Sequence, residues 1–163
     1  MKQIILGLIF LACVPVYANT DIKIKVQTDS NLSVVASATY LASKDSFFCK
    51  EFSMNDGSPR RILKRRYVDF KIKNGVVMIP NSLKSKCRYK RVGGASLAFE
   101  IKNKAEPSNV VSVFVGGGST QAQVINCKEI MSGPSNNIRK MVSCYGDVST
   151  TEDGEATVLV LKN

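Results

Sequence analysis

The stretch DIKIKVQTDSNLSVVASATY, residues 21–40, contains two segments in which apolar and polar side chains alternate. Apolar residues occupy every second position from Ile22 to Val26 and again from Leu32 to Tyr40. Because successive side chains of a β-strand point to opposite faces, this period is typical of strands with one buried face. The stretch therefore predicts two β-strands and indicates an all-β protein.

Strand and turn patterns continue along the chain. In YVDFKIKNGVVMI, residues 67–79, two β-rich runs are joined by Asn74-Gly75, a dipeptide that tolerates positive φ and predicts a hairpin. Further strands are predicted at Leu97 to Ile101, Val110 to Val115, Gln121 to Cys127, Met141 to Cys144 and Ala156 to Leu161, with a second hairpin at residues 116–120. About seven to nine short strands without a helical period predict a single antiparallel sandwich, immunoglobulin-like or a similar Greek key, with a small β-barrel as second choice.

The N-terminus, MKQIILGLIFLACVPVYANT, has the composition of a secretory signal peptide. Lys2 precedes an apolar run too short to span a bilayer comfortably, and Val16-Tyr17-Ala18 offers a small-residue cleavage site. We predict cleavage after Ala18, so that residues 1–18 are the signal peptide and residues 19–163 form one β-domain in the periplasm or outside the cell. The alternatives are a lipoprotein acylated on Cys13 and a buried N-terminal segment.

Export changes the expected chemistry of the cysteines. Four of the five remain after cleavage, namely Cys49, Cys87, Cys127 and Cys144. An even number in an oxidising compartment predicts two disulfides. Of the three possible pairings we favour Cys49 with Cys87 and Cys127 with Cys144, because neighbours in sequence are most often neighbours in a meandering sheet. With no histidine and no CxxC motif, the chain is predicted to hold no metal and no cofactor.

The positive charge is concentrated in residues 60–91. This basic segment holds twelve of the 23 lysines and arginines and one of the 13 acidic residues, whereas the formal charge of the whole chain is +10. The remainder of the mature chain is therefore close to neutral. A concentrated positive region attracts anions and speeds encounter with acidic partners.

The stretch SLKSKCRYKRVGG, residues 82–94, places cations at every second position around Cys87. A strand here would direct Cys87 and Tyr89 into the core and the alternating cations outward. The candidate residues for binding an anion or a partner are Arg60, Arg61, Lys64, Arg65, Arg66, Lys84, Lys86, Arg88, Lys90 and Arg91. The alternative is that these cations form a solvated face that prevents pairing of an exposed sheet edge with another chain. The acidic stretch at residues 147–155 could also fold over the cations and neutralise part of their charge.

The motifs of common enzymes are missing from the sequence. Without histidine there is no Ser-His or Cys-His pair, and Gln121 stands where a GxSxG elbow needs its last glycine. We therefore expect a non-enzymatic exported binding module, for example of the inhibitor or immunity type. Its expected partner is an acidic protein or an anionic envelope component such as a lipid headgroup, lipopolysaccharide or acidic glycan. Nucleic acid ranks lower, because few aromatic residues interleave with the cations.

A structural or assembly subunit of the cell envelope is the alternative function. In its length, its export and its disulfides the chain resembles fimbrial subunits. Those subunits usually end in an alternating strand with an aromatic residue near the terminus. The last residues here, ATVLVLKN, alternate but contain no aromatic side chain.

Overall fold

The computed structural model describes residues 19–28, 32–53, 60–101, 106–107, 109–134 and 137–162. The predicted signal peptide and Cys13 lie outside these residues. A 3₁₀ turn spans Phe47–Cys49. The strands are β1 (Ile22–Gln27), β2 (Leu32–Ala42), β3 (Lys50–Ser53), β4 (Arg60–Leu63), β5 (Arg65–Lys71), β6 (Val76–Ile79), β7 (Ser82–Leu83), β8 (Tyr89–Arg91), β9 (Ala95–Ile101), β10 (Glu106–Pro107), β11 (Val110–Phe114), β12 (Ala122–Ser132), β13 (Arg139–Tyr145), β14 (Val148–Ser149) and β15 (Glu155–Lys162).

Two large sheets contain most of these strands. Sheet I has the order β10-β13-β12-β15-β1-β6, and sheet II has the order β14-β11-β9-β2-β8-β7, with β5 also paired to β2. Strands β3 and β4 form a separate two-stranded ribbon. Side chains such as Ile24 and Val158 from sheet I and Val34 and Phe99 from sheet II are buried in one cluster. The all-β prediction is confirmed, and the architecture is sandwich-like.

The alternating patterns form strands where the sequence placed them, but the pairing differs from a meander. Strand β15 runs parallel to both of its neighbours, β1 and β12. Two parallel strands cannot be joined by a tight hairpin and need a longer crossover connection. The chain between β12 and β15 makes such a crossover and contributes β14 to sheet II on the way. Sheet I is therefore mixed, with antiparallel pairs at β1–β6 and β12–β13.

The hairpin predicted at Asn74-Gly75 forms only at its turn, where Lys73 and Val76 pair through an antiparallel bridge with two backbone hydrogen bonds, and the strands that flank residues 116–120 do not pair with each other. Asn74 and Gly75 turn the chain with φ values of 51° and 74°, but β5 pairs with β2 in sheet II while β6 pairs with β1 in sheet I. The glycine-rich turn at 116–120 similarly connects β11 in sheet II to β12 in sheet I. Turn residues set the reversal of the chain, whereas the burial of each strand's apolar face decides its partner.

Both favoured disulfides are formed. Cys49 and Cys87 have Cα atoms 5.4 Å apart and join the 3₁₀ turn to the segment before β8. Cys127 and Cys144 occupy opposite positions on β12 and β13, with Cα atoms 4.0 Å apart. The two disulfides are consistent with an oxidising environment. Across the described residues, the structure holds no helix with the length and apolarity to cross a membrane.

Residues 82–91 do not form the continuous strand that the alternation suggested. The chain leaves β7 after Leu83, turns through residues 84–88, and enters β8 at Tyr89. Arg88 adopts a φ of 46°, which breaks the extended conformation. The cations therefore project from a turn and a short strand. Tyr89 is buried as predicted, and Cys87 is half-buried.

Candidate functional site

The turn at residues 84–88 is held on two sides by the segment that precedes β3. The Cys49–Cys87 disulfide ties it to the 3₁₀ turn. The backbone N–H of Lys44 donates to the carbonyl of Cys87 at 3.3 Å, and that of Ser43 donates to the carbonyl of Arg88 at 3.1 Å. Because the disulfide and the hydrogen bonds already restrain this turn, it loses less conformational entropy when a partner binds.

An open cavity of about 400 Å³ lies at this turn. Its lining residues are Ser82, Leu83, Lys84, Ser85, Arg88 and Lys90. Three cationic groups and two hydroxyls therefore face one space. Ammonium and guanidinium groups donate charge-assisted hydrogen bonds, and serine hydroxyls add neutral donors. This set of donors suits an anionic group such as a phosphate or a carboxylate.

Arg65 extends the positive charge onto the outer face of sheet II. Leu41 on β2 pairs with Arg65 on one side and with Lys90 on the other. With neighbouring strands about 4.8 Å apart, the Cα atoms of Arg65 and Lys90 lie about 10 Å from each other. Both side chains are exposed. We call Arg65, Lys84, Lys86, Arg88 and Lys90 the basic surface.

Other predicted candidates lie beside this surface. The guanidinium carbon of Arg66 lies 4.6 Å from the ring centroid of Tyr89, a cation–π contact that gives this arginine a packing role. Lys64 is half-buried between β4 and β5, and its backbone N–H donates to the carbonyl of Cys49. Arg60 and Arg61 lie on β4 opposite Ser53 and Phe52, and their side chains fall outside the described part of the structure.

Arg91 does not belong to the basic surface, and its assignment there was wrong. The side chain is fully buried, because Tyr89 and Arg91 both point inward on β8 while Lys90 points out. Its Nη1 donates to the carbonyl of Gly93 and its Nη2 to the carbonyl of Thr20, each at 2.6 Å. Burial lowers the pKa of Arg91. The arginine thus fixes the chain just before β1.

Exposed phenylalanines before and after the disulfide cysteine Cys49 were missed by the sequence reasoning. Phe47, Phe48 and Phe52 are 64%, 80% and 67% exposed. The rings of Phe47 and Phe48 meet edge to face with centroids 5.8 Å apart. Three phenylalanines in DSFFCKEF, without alternation and around a disulfide cysteine, were the signal available in the sequence.

A second cavity, of about 450 Å³, lies over the outer face of sheet I. Lys23 and Lys25 line it together with Asp153 and Glu155. Lys23 Nζ lies 3.0 Å from Glu155 Oε1, and the hydrogen bond from Lys23 lowers the pKa of Glu155. Because cations and carboxylates are mixed here, this cavity is less suited to an anion. Glu155 in the acidic stretch pairs with β1 rather than with the basic surface.

Comparison of the chain with protein-family models, with curated proteins and with solved structures finds no match. The functional conclusion therefore rests on the chemistry of the site. Its components are the cavity at the turn, the basic surface around it and the neighbouring phenylalanines.

Proposed function

We propose that the chain is an exported, non-enzymatic binding module whose basic surface binds an anionic partner. The cavity lined by Lys84, Arg88 and Lys90 with two serines is the observation that carries this proposal. Under this proposal the domain acts in the periplasm or outside the cell after cleavage near Ala18. Its ligands are phosphate or carboxylate groups displayed on a larger partner.

The distribution of charge supports a binding role. Most of the net positive charge lies in residues 60–91, while the rest of the mature chain is close to neutral. Clustered charge raises the local concentration of anions and the rate of encounter, and both effects weaken with salt. The disulfide and the backbone hydrogen bonds hold the turn in place before binding, which favours affinity.

The terminal strand gives no support to the alternative role as an assembly subunit. Addition of a strand from a neighbouring subunit requires a sheet edge whose backbone groups are unpaired. Strand β15, the terminal strand, is paired along both edges, with β1 and with β12. The terminal strand is therefore already enclosed within its own domain.

Binding of fluorescently labelled inorganic polyphosphate tests the proposal. The test variant combines Lys84→Gln, Arg88→Asn and Lys90→Gln, with asparagine chosen because it tolerates the positive φ of Arg88. The control combines Lys25→Gln, Lys128→Gln and Lys140→Gln, which removes the same charge from exposed positions on sheet I. We expect the test variant to bind on the order of tenfold or more weakly than wild type at low salt.

The control should bind polyphosphate with nearly the wild-type affinity, and wild-type binding should weaken as salt is raised. Labelled polyglutamate, measured in parallel, reports whether carboxylates are accepted as well as phosphates. Equal weakening in the test and control variants would mean that net charge alone governs binding. That result would overturn the proposed site.

A further inference from the structure

We infer that the anionic partner is a phospholipid bilayer surface, with the Phe47–Phe48 ring pair entering the interface and the basic surface contacting lipid phosphates. This inference rests on the proposed function and deepens it. It is based on two exposed phenylalanine side chains in a segment that a disulfide joins to the turn with the cationic cavity. We call Phe47 and Phe48 the phenylalanine tip.

The phenylalanine tip is an apolar feature exposed to solvent. Phe48 is 80% exposed and Phe47 64%, although both rings lie next to a disulfide cysteine whose side chain is buried. A phenyl ring has no polar atom to hydrogen-bond with water, so transfer of two rings into an apolar phase is favourable. The pair sits on a short 3₁₀ turn beside the cavity, where it can enter a bilayer without unfolding of either sheet.

The tip and the basic surface belong to one structural unit. Cys87 Sγ lies 4.0 Å from the carbonyl oxygen of Phe48. Cys49 follows Phe48 directly and is bonded to Cys87, which stands between Lys86 and Arg88 in the sequence. The two chain segments that carry the rings and the cations are therefore held together. Long lysine and arginine side chains can reach lipid phosphates while the rings enter more deeply.

The acidic side chain closest in sequence to the tip is neutralised locally. Asp45 forms an ion pair with Lys50. Lys84, Lys86 and Arg88 lie at exposed positions of the turn and outnumber Glu51, the exposed carboxylate that follows the tip. The exposed charge beside the tip is thus predominantly positive, which complements an anionic leaflet and would oppose a basic partner.

A bilayer fits this combination better than a folded protein does. A bilayer interface is fluid and accepts a protruding ring pair of any shape, whereas a protein partner must present a concave pocket that matches the two edge-to-face rings. Stable attachment to a membrane generally needs two signals, an apolar group in the acyl region and a basic patch at the headgroups. The phenylalanine tip and the basic surface supply one signal each.

Co-sedimentation with vesicles tests the inference. Wild-type protein is mixed with vesicles of equal parts phosphatidylcholine and phosphatidylglycerol, or of phosphatidylcholine alone. We expect binding to the anionic vesicles only. The double variant Phe47→Ser, Phe48→Ser should bind them on the order of tenfold or more weakly, while its polyphosphate affinity stays at the wild-type value.

A matched apolar control is available on the same chain. Met131 and Ile138 are 64% and 55% exposed and lie on or next to sheet I. The double variant Met131→Ser, Ile138→Ser should bind anionic vesicles like wild type. Thermal unfolding of both double variants checks that each is folded, since neither change removes a buried side chain.

A tryptophan reporter gives a readout that does not depend on loss of binding. The chain contains no tryptophan, so Phe48→Trp reports from the tip alone, and Ile138→Trp reports from a remote exposed site. On anionic vesicles the emission of Phe48→Trp should shift to the blue and be quenched by lipids brominated in the acyl chain. The emission of Ile138→Trp should not change.

The outcomes separate the inference from the proposed function. If the Phe47→Ser, Phe48→Ser variant binds vesicles like wild type, or if Phe48→Trp is not quenched, the inference is wrong and the proposed function stands. Wild-type binding to polyphosphate without binding to vesicles also overturns the inference and points to a soluble acidic partner. If the variant of Lys84, Arg88 and Lys90 still binds both probes like wild type, the proposed function itself is wrong.

Discussion

Tyr40 and Arg91 occupy opposite positions on β2 and β8, and both side chains are fully buried. Both donate to backbone carbonyls: the Tyr40 hydroxyl donates to Pro80 at 2.7 Å, and the two Nη groups of Arg91 donate to Thr20 and Gly93, while its buried Nε has no hydrogen-bond partner among the described residues. The alternation along β8 that points Tyr89 inward also points Arg91 inward. The positive charge of Arg91 predicted a surface position, but the carbonyls of Thr20 before β1 and of Gly93 after β8 make its burial possible.

Replacement of Tyr40 by phenylalanine tests this buried pair through its pH dependence. Burial is the main cause that raises the pKa of Tyr40 to about 12, with Asp21 adding to the shift and the positive Arg91 opposing it. The unfolded phenol ionises above its ordinary pKa of 10.0, whereas the folded phenol keeps its proton until about 12. The stability that the neutral phenol contributes is therefore fully present below pH 10 and is lost as pH rises through this range.

In urea unfolding near neutral pH, Tyr40→Phe should be less stable than wild type by about 1 to 3 kcal/mol, because the Pro80 carbonyl loses its donor. Between pH 10 and 12 the difference should shrink, since only the wild type has this phenol to ionise on unfolding. A difference that stays constant over that range would contradict the assignment. Tyr67→Phe, at a hydroxyl-bearing side chain that is 72% exposed, is the matched control.

At the scale of elements, the two disulfides restrain different kinds of structure. Cys127 and Cys144 join strands already paired over seven positions of β12 and β13. Cys49 and Cys87 join two short turns that have no ladder between them, and these turns carry the phenylalanine tip and three cations of the basic surface. The Cys49–Cys87 disulfide therefore restrains the candidate site, whereas the Cys127–Cys144 disulfide reinforces sheet I.

Removal of each disulfide by paired alanine substitution should separate these roles. The loops closed by the bridges span 38 and 17 residues. On the chain-entropy model, loss of the longer loop costs about 4 kcal/mol and loss of the shorter about 3 kcal/mol. We expect Cys49→Ala, Cys87→Ala to have the lower urea midpoint and also to lose affinity for polyphosphate.

The Cys127→Ala, Cys144→Ala variant, while folded, should bind polyphosphate like wild type, because its bridge lies on sheet I away from the basic surface. Unchanged polyphosphate affinity in the Cys49→Ala, Cys87→Ala variant would show that the turn keeps its shape without the bridge. Measurements under non-reducing conditions keep the remaining disulfide intact in each variant.

Across the whole molecule, strand β1 brings the first described residues of the chain against its last strand, β15. It lies between β15 and β6, pairing parallel to the former and antiparallel to the latter. Ile22, Ile24 and Val26 enter the core, and Arg91 of sheet II holds the carbonyl of Thr20. The interior of sheet I is therefore completed by residues that directly follow the predicted cleavage site.

Deletion of residues 19–28 tests the role of β1 in the whole fold. Without β1 the edges of β15 and β6 lose their partner, and three core side chains are missing, so the chain should lose its cooperative urea transition by circular dichroism. A synthetic peptide of residues 19–28 added in trans should restore part of that transition. A peptide of the same composition with its alternation scrambled should not, and a cooperative transition in the deleted chain alone would contradict the prediction.

The sequence by itself determined the positions of the long alternating strands, the expectation of two disulfides and the concentration of charge in residues 60–91. These follow from local periodicity, from the even count of cysteines after the predicted signal peptide and from composition. Only the tertiary structure decided that β5 and β6 enter different sheets, that Arg91 is buried, and that the phenylalanine tip lies beside the basic surface. Each of those outcomes depends on which distant segments bury an apolar face or supply a carbonyl, and no local pattern contains that information.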